Sequence, residues 1–185
     1  METESAQIAR ALRRRDPELL ERLIEQYQHR LFRYLVHFTG DPRLSEDLFQ
    51  ETWLRVLERG KQFDGRSEFV PWLLRLAHNL AVDHFRARRG LSLDQLTDPE
   101  RAVPLQVADG LPNALQQLAT AEQRERVLAC LGGLPAPYRE VVVLRFQEEM
   151  PLEGIATVAG IPLATVKSRL YRALALLGAK LEGHP

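Results

Sequence analysis

The chain has one cysteine, Cys130, among 185 residues, which excludes an internal disulfide or a thiolate metal cluster. It has no surplus of either charge, with 25 basic and 25 acidic residues. A protein gripping duplex DNA by charge alone would be more basic, so any nucleic-acid role must rest on local patches or on a larger partner that supplies affinity. No apolar run approaches the ~18 residues of a membrane span, and the opening METESAQIARALRRRD lacks the apolar centre of a secretion signal. Membrane insertion is therefore not expected, and a cytoplasmic location is. A Gly-rich phosphate loop, a nucleophile elbow and a metal-ligand cluster are also missing, so the expectation is a non-enzyme with no catalytic residues, metal or cofactor. His29 and His37 lie roughly 12 Å apart along a helix at ~1.5 Å per residue, too far to share an ion. His78 and His84 are also poorly spaced as ligands and read as structural or surface residues. The N-terminal half shows no strand alternation.

What is present is helical periodicity broken by strong punctuation. Asp16, Pro17 and Glu18 form a helix start, with a capping side chain, a first-turn proline and an acid at the positive end of the helix dipole. The apolar stripe Leu20, Leu23, Ile24, Tyr27, Leu31, Tyr34, Leu35, Phe38 then runs to a stop at Gly40, Asp41 and Pro42. Ser45 is expected to cap a second helix, Glu46 to Arg59, which is apolar around much of its circumference through Leu48, Phe49, Thr52, Trp53, Val56 and Leu57. Its remaining surface carries Asp47, Gln50, Glu51 and Arg55 on one face. That face is either a solvated surface with a Glu51 to Arg55 pair or a docking site for a basic partner.

A polar loop with Asp64 and Gly65 leads to a long helix, FVPWLLRLAHNLAVDHFRARR. Phe69, Leu73, Leu76, Ala77 and Leu80 face a core, while Trp72, Arg75, Asn79, Asp83 and Arg86 line another stripe at spacings of three and four. An aromatic, two cations and two hydrogen-bonding side chains suit unstacked single-stranded bases; Trp72 reads equally well as core. From 91 to 113 periodicity fails, the balance turns acidic and prolines recur, as in a flexible linker. A helix resumes near Ala114 and ends at Gly132 and Gly133. Pro135 and Pro137 open the next, packed by Val141, Val142, Leu144 and Phe146.

The stretch Met150 to Leu181 has the punctuation of two helices at a tight turn. Pro151 and Pro162 suit first helical turns, and Gly160 the bend between them. Leu163, Val166, Leu170, Ala173 and Leu177 pack inward on Leu152, Ile155 and Val158. Outward lie Ala164, Thr165, Lys167, Ser168, Tyr171 and Arg172, small near the helix start where bases would approach, cationic or hydroxylic beyond it where phosphates would lie. A solvated amphipathic helix would show the same periodicity. The fold class is therefore all-α, two small helical domains joined by a flexible linker, the second containing a helix-turn-helix.

These motifs together resemble the sigma-70 family of bacterial transcription initiation factors, in its small extracytoplasmic-function subgroup. The resemblance covers nearly everything from Asp16 to Leu181. It is carried in order by DLFQETWLRV at Asp47 to Val56, WLLRLAHNLAVDHFRARR at Trp72 to Arg89, LPAPYREVVVLRF at Leu134 to Phe146 and TVKSRLYRAL at Thr165 to Leu174. TVKS alone is also found in response-regulator-type activators, but that alternative leaves the first two motifs idle and expects an α/β phosphoacceptor domain. The resemblance implies a region 2 domain over 1–90, a linker over 91–113 and a region 4 helix-turn-helix domain over 114–185. Asp47, Leu48, Gln50 and Glu51 would contact the clamp helices of core RNA polymerase, with the flap as a further contact of the factor. Asp64, Gly65, Arg66, Ser67, Trp72, Arg75, Asn79, Asp83 and Arg86 would bind the minus-10 element, the loop holding a base flipped from the non-template strand. Ala164, Thr165, Lys167, Ser168, Tyr171 and Arg172 would read the minus-35 element. Factors of this subgroup are often held inactive by an anti-sigma protein. Gly154 departs from the family pattern, which usually has a charged helix former there, at a cost of ~1 kcal/mol in helix propensity.

Overall fold

The computed structural model describes the backbone of residues 3–89 and 130–182 and the side chains of 3–87 and 130–178. Helix α1 spans Glu4–Arg14 and is capped by Thr3, whose hydroxyl accepts the Ala6 N–H at 3.3 Å. Helix α2, Pro17–Thr39, begins as its Asp-Pro start dictates, with Asp16 Oδ1 accepting the N–H groups of Glu18 and Leu19. Gly40, at φ 71°, ends it in the left-handed conformation that a glycine adopts without strain.

Helix α3 is Pro42–Arg59, so it starts before the expected Glu46. Asp41, and not Ser45, is the cap: its Oδ1 accepts the N–H groups of Arg43 and Leu44 at 3.0 and 3.3 Å. Asp41-Pro42 thus repeats the start chemistry of Asp16-Pro17, and the pair that stops α2 also begins α3. Ser45 is fully buried one turn inside, donating to the Asp41 carbonyl at 2.7 Å and paired with the Thr39 hydroxyl at 2.8 Å. A 3-10 turn, Gly60–Gln62, and a short loop lead to α4, Phe69–Arg89. Leu23, Leu31, Leu35 and Phe38 of α2 meet Val56 of α3 and Leu73, Leu74 and Ala77 of α4 in the core of this first half.

The described part of the second half starts with a 3-10 turn, Cys130–Gly133, followed by α5, Ala136–Val142, and a π-helical segment, Val143–Gln147. Helices α6, Leu152–Ala159, and α7, Leu163–Glu182, complete it. The linker and the helix expected from Ala114 lie outside the described residues. Gly160, at φ 64°, makes the turn between α6 and α7. Pro151 and Pro162 stand immediately before their helices and not inside the first turns, their carbonyls accepting from Ile155 and Val166. Ile155, Val158, Val166, Leu170, Ala173 and Leu177 are buried as the periodicity requires, and Leu152 is half-buried.

Val141, Val142, Val143 and Leu144 are all fully buried. Four consecutive residues cannot share one helix face, so this segment is covered on opposite sides. It lies between the halves, packed against α7 on one side and α2 on the other, while α6 packs on α4. The sequence gives no orientation for two domains on a linker; the structure places them in contact.

Polar bonds tie that contact together. Tyr34 donates to Glu140 Oε1 at 2.8 Å, and His78 Nδ1 meets the same oxygen at 2.6 Å. Arg30 pairs with Glu148, and His37 Nδ1 lies 2.5 Å from Gln147 Oε1. Arg139 donates to the carbonyls of Phe38 and Thr39, each at 3.0 Å, satisfying the exposed end of α2.

Candidate nucleic-acid interface

Helix α3 presents Asp47 and Gln50 to solvent, with Glu51 half-exposed beside them. Leu48, grouped with them by resemblance, is only 6% exposed and belongs to the core; its four-residue spacing to Thr52 and Val56 puts it on the buried side of the helix. Arg55 bridges Glu51 at 3.2 Å and Glu58 at 3.0 Å, so the pair expected on a solvated face is formed. Leu57, expected to be buried, is 44% exposed, and Leu54 is 53% exposed. Leu54 follows Gln50 by four residues and Glu51 by three, so helical spacing puts it on the same face. The surface is thus acidic with two leucines, an amphipathic face of the kind that docks on a protein.

The loop before α4 is shaped by Asp64, whose Oδ1 accepts the Arg66 N–H at 2.9 Å, and by Gly65 at φ 75°. Asp64, Arg66 and Ser67 are exposed. On α4, Arg75, Asn79, Asp83 and Arg86 are all exposed, one helical turn apart in succession, and Arg86 lies 3.8 Å from Asp83. Trp72 is half-buried, its ring centroid 5.3 Å from Phe63 and 5.7 Å from Phe69, and Tyr27 closes the cluster 5.3 Å from Phe69. Both readings of Trp72 therefore hold in part: one portion anchors the aromatic cluster and the rest reaches the surface at the start of the polar stripe. Packing of α6 on α4 leaves the stripe open.

On α7, Ala164 is exposed, and Thr165, Lys167, Ser168, Tyr171 and Arg172 are half-exposed. Arg169, a cation outside the outward set that periodicity marks, is 6% exposed between Val166 and Ala173 on the inward side of the helix. Cations on this helix therefore divide by depth, with Lys167 and Arg172 on the outer face.

Two tyrosines have perturbed phenols. Burial, then the charge and hydrogen bond of Glu140, hold Tyr34 well above the ordinary 10.0, so it remains a donor to Glu140. Burial, then Glu4, raises Tyr27. Burial lowers the Arg139 guanidinium from its ordinary value. His78 is buried in the contact between the halves. Among the described residues no three His, Cys, Asp or Glu side chains gather as metal ligands, and no helix is long and apolar enough to cross a membrane.

Comparison with known proteins covers both halves. The family model for sigma-70 region 2 matches residues 23–90, and that for sigma-70 region 4 matches residues 124–177. RNA polymerase sigma-H factor of Pseudomonas aeruginosa is 30% identical over 183 residues, covering 95% of this chain and 93% of the relative. ECF RNA polymerase sigma factor SigW of Bacillus subtilis is 28% identical, covering 90% of this chain and 91% of that one. Among solved structures, CnrH in complex with the cytosolic domain of CnrY has a TM-score of 0.65 at 22% identity, covering 98% of this chain and 99% of that chain. RpoE of Bartonella quintana, solved with the anti-sigma factor NepR, has a TM-score of 0.63 at 21% identity, covering 89% and 98%. These last two likenesses concern the fold. Sigma regions match in both halves and in chain order, which does not favour the response-regulator reading. The open stripe on α4, the acidic face of α3 and the helix-turn-helix of α6 and α7 thus belong to a chain that is a member of the sigma-70 family of RNA polymerase sigma factors, in its extracytoplasmic-function subgroup.

Proposed function

We propose that this sigma factor divides promoter recognition between its halves, residues 1–90 docking on core RNA polymerase and opening the minus-10 element and residues 114–185 reading the minus-35 element, with 91–113 as the linker. The observation that carries the reading is the exposure of Asp64, Arg66 and Ser67 on the loop and of Arg75, Asn79, Asp83 and Arg86 along one stripe of α4, with Phe63 of the loop packed on Trp72 at the start of that stripe. A duplex reader needs one helix in a groove, whereas a polar loop leading into a helix that exposes an amide and a carboxylate suits a single base taken out of its stack. The α3 face, Asp47, Gln50 and Glu51 with Leu54 and Leu57, takes the polymerase clamp helices. The outer residues of α7 approach duplex DNA.

The division of labour requires the halves to part. The two elements are named for positions about 25 base pairs apart, roughly 85 Å of duplex at ~3.4 Å per pair, and two packed small domains cannot reach both. The packed arrangement is therefore a resting form that opens on polymerase. The factor performs no chemistry of its own, takes no cofactor and works in the cytoplasm. The structural relatives were solved with CnrY and with the anti-sigma factor NepR, which supports an anti-sigma protein as a further partner here. In vitro transcription with purified core polymerase over a library of promoters tests the reading. Transcripts that depend on this protein and start from a shared pair of elements are expected; uniform transcription with and without it would contradict it.

A further inference from the structure

Helix α1 lies outside both matched sigma segments, the first of which begins at residue 23, yet it is built into the first half. Ile8, Ala9 and Leu12 are buried at 4%, 0% and 7% exposure. The join to α2 is closed by the Arg15 and Asp16 N–H groups, which donate to the Leu12 and Ala11 carbonyls, each at 3.2 Å. Arg15 takes the left-handed conformation at φ 55° to make that closure, so α1 is a fixed extension of the fold and not a tail.

Its inner face presses on the segment between α3 and α4 at two glycines. A Cβ added at Gly60 would lie 3.1 Å from Leu12 Cβ, and one added at Gly65 would lie 2.8 Å from the Ser5 carbonyl oxygen, 2.9 Å from Ala6 Cα and 3.0 Å from Ala9 Cβ. Two of the three neighbours of Gly65 are helix backbone, which cannot swing aside as a side-chain tip can. Between the glycines, Phe63 is 1% exposed and fixed edge-on to Phe69 at 5.5 Å. The loop therefore has three internal points of attachment, while Asp64, Arg66, Ser67 and Glu68 project to solvent.

We propose that α1 is the positioning element for the base-holding loop: its Ser5 to Ala9 backbone and the Ala9 methyl set where Gly65 lies, and so where the polar groups of Asp64, Arg66 and Ser67 stand relative to Asn79. The inference rests on the reading of that loop as the site of a flipped minus-10 base. Specificity for one base demands polar groups held to a fraction of an ångström, and a glycine locked in the left-handed conformation against a helix backbone supplies that where a free loop would not.

The test uses holoenzyme formed from core polymerase and full-length chains carrying Gly65→Ala, Ala9→Val or Ala9→Gly, on promoters differing at each minus-10 position. Core affinity, closed-complex formation and open-complex yield are measured for each. All three variants should lose preference at one minus-10 base by roughly tenfold, within the ~100-fold that a 1 Å displacement can cost, while core affinity stays unchanged. The double variant Ala9→Val with Gly65→Ala should fall no further than its worse parent, because both act on one contact. Ala9→Gly adds no bulk, so it keeps the test independent of overpacking. Full base preference in both Ala9 variants, with preference lost in Ser67→Ala, would overturn the role of α1. Equal losses at every stage, core affinity included, would also overturn it by making α1 merely structural. If Arg66→Ala and Ser67→Ala have no effect on base preference, the loop does not hold the base, and the reading beneath the inference fails.

Discussion

Asn79 and Lys167 are polar side chains on two different helices, and the proposed function assigns them to different steps. Asn79 is exposed on α4 in line with Arg75 and Asp83, and an amide can both donate to and accept from an unpaired base. Lys167 is half-exposed on the outer side of α7, where under the proposed function it would meet duplex phosphate or a guanine edge before melting. Asn79→Ala in holoenzyme should leave closed-complex formation nearly unchanged and cut open-complex yield. Lys167→Ala should weaken initial binding by roughly 1 to 3 kcal/mol if it reads a base, or flatten the salt dependence if it meets phosphate. Permanganate footprinting beside filter binding across a salt series separates the two. A similar contrast holds on α3. Asp47→Arg with Glu51→Arg should abolish core binding at little cost in stability, since the exposed Glu51 to Arg55 pair contributes only ~0 to 1 kcal/mol. Leu48→Ala should instead cost about 2 to 5 kcal/mol in urea unfolding, as expected for a buried leucine.

At the scale of elements, the helices legible in the sequence were those with an unambiguous cap and an uninterrupted stripe. Asp16-Pro17, Gly40 and Gly160 did what their chemistry dictates, and the inward stripe of α7 was found nearly residue by residue. The start of α3 lies four residues before the Glu46 that periodicity suggests, because Asp41-Pro42 is a start as well as a stop. One Asp-Pro pair can end a helix through its proline and begin the next through its carboxylate. Asp41→Ala should accordingly cost about 1 kcal/mol, and Asp41→Asn much less, in thermal or urea unfolding. The π-helical turn after α5 was not legible, since its cause is distant: Val141 to Leu144 must fill two interfaces at once. Leu57 misled for the opposite reason, because an apolar circumference predicts burial only where a neighbour exists to cover it. The residues proposed for the two DNA surfaces are legible as polar faces; the burial of Arg169 is not, because a cation on the apolar side of a helix leaves no periodic signal.

For the whole molecule, the packing of one half on the other is the feature that no local pattern contained. Glu140 sits in a run that reads as ordinary core, and its partners Tyr34 and His78 are 106 and 62 residues away. Removing it by Glu140→Ala leaves a phenol and a ring nitrogen unpartnered only while the halves are packed, because water satisfies both once they separate. That loss, about 1 to 3 kcal/mol for buried groups, should shift the free protein toward a more extended form in small-angle scattering; Glu140→Gln, which keeps an acceptor for Tyr34, should shift it less. The phenol adds a pH dependence of definite sign. Tyr34 is raised above 10.0 in the packed form, so its contribution to packing is fully present below that pH and is lost as pH rises through the raised value. In an ultraviolet titration of the four tyrosines, Tyr34→Phe should remove the phenol that ionises last.

The central claim is that one chain rests with its halves packed and works with them apart, and a single distance tests it. With Cys130 replaced by serine, labels at exposed Glu25 on α2 and Glu153 on α6, each changed to cysteine, report the separation by pulsed electron spin resonance. The account predicts one short distance in the free protein and an increase of some tens of ångströms in holoenzyme on a promoter, as elements roughly 85 Å apart along the duplex require. The same short distance in an active promoter complex would contradict it.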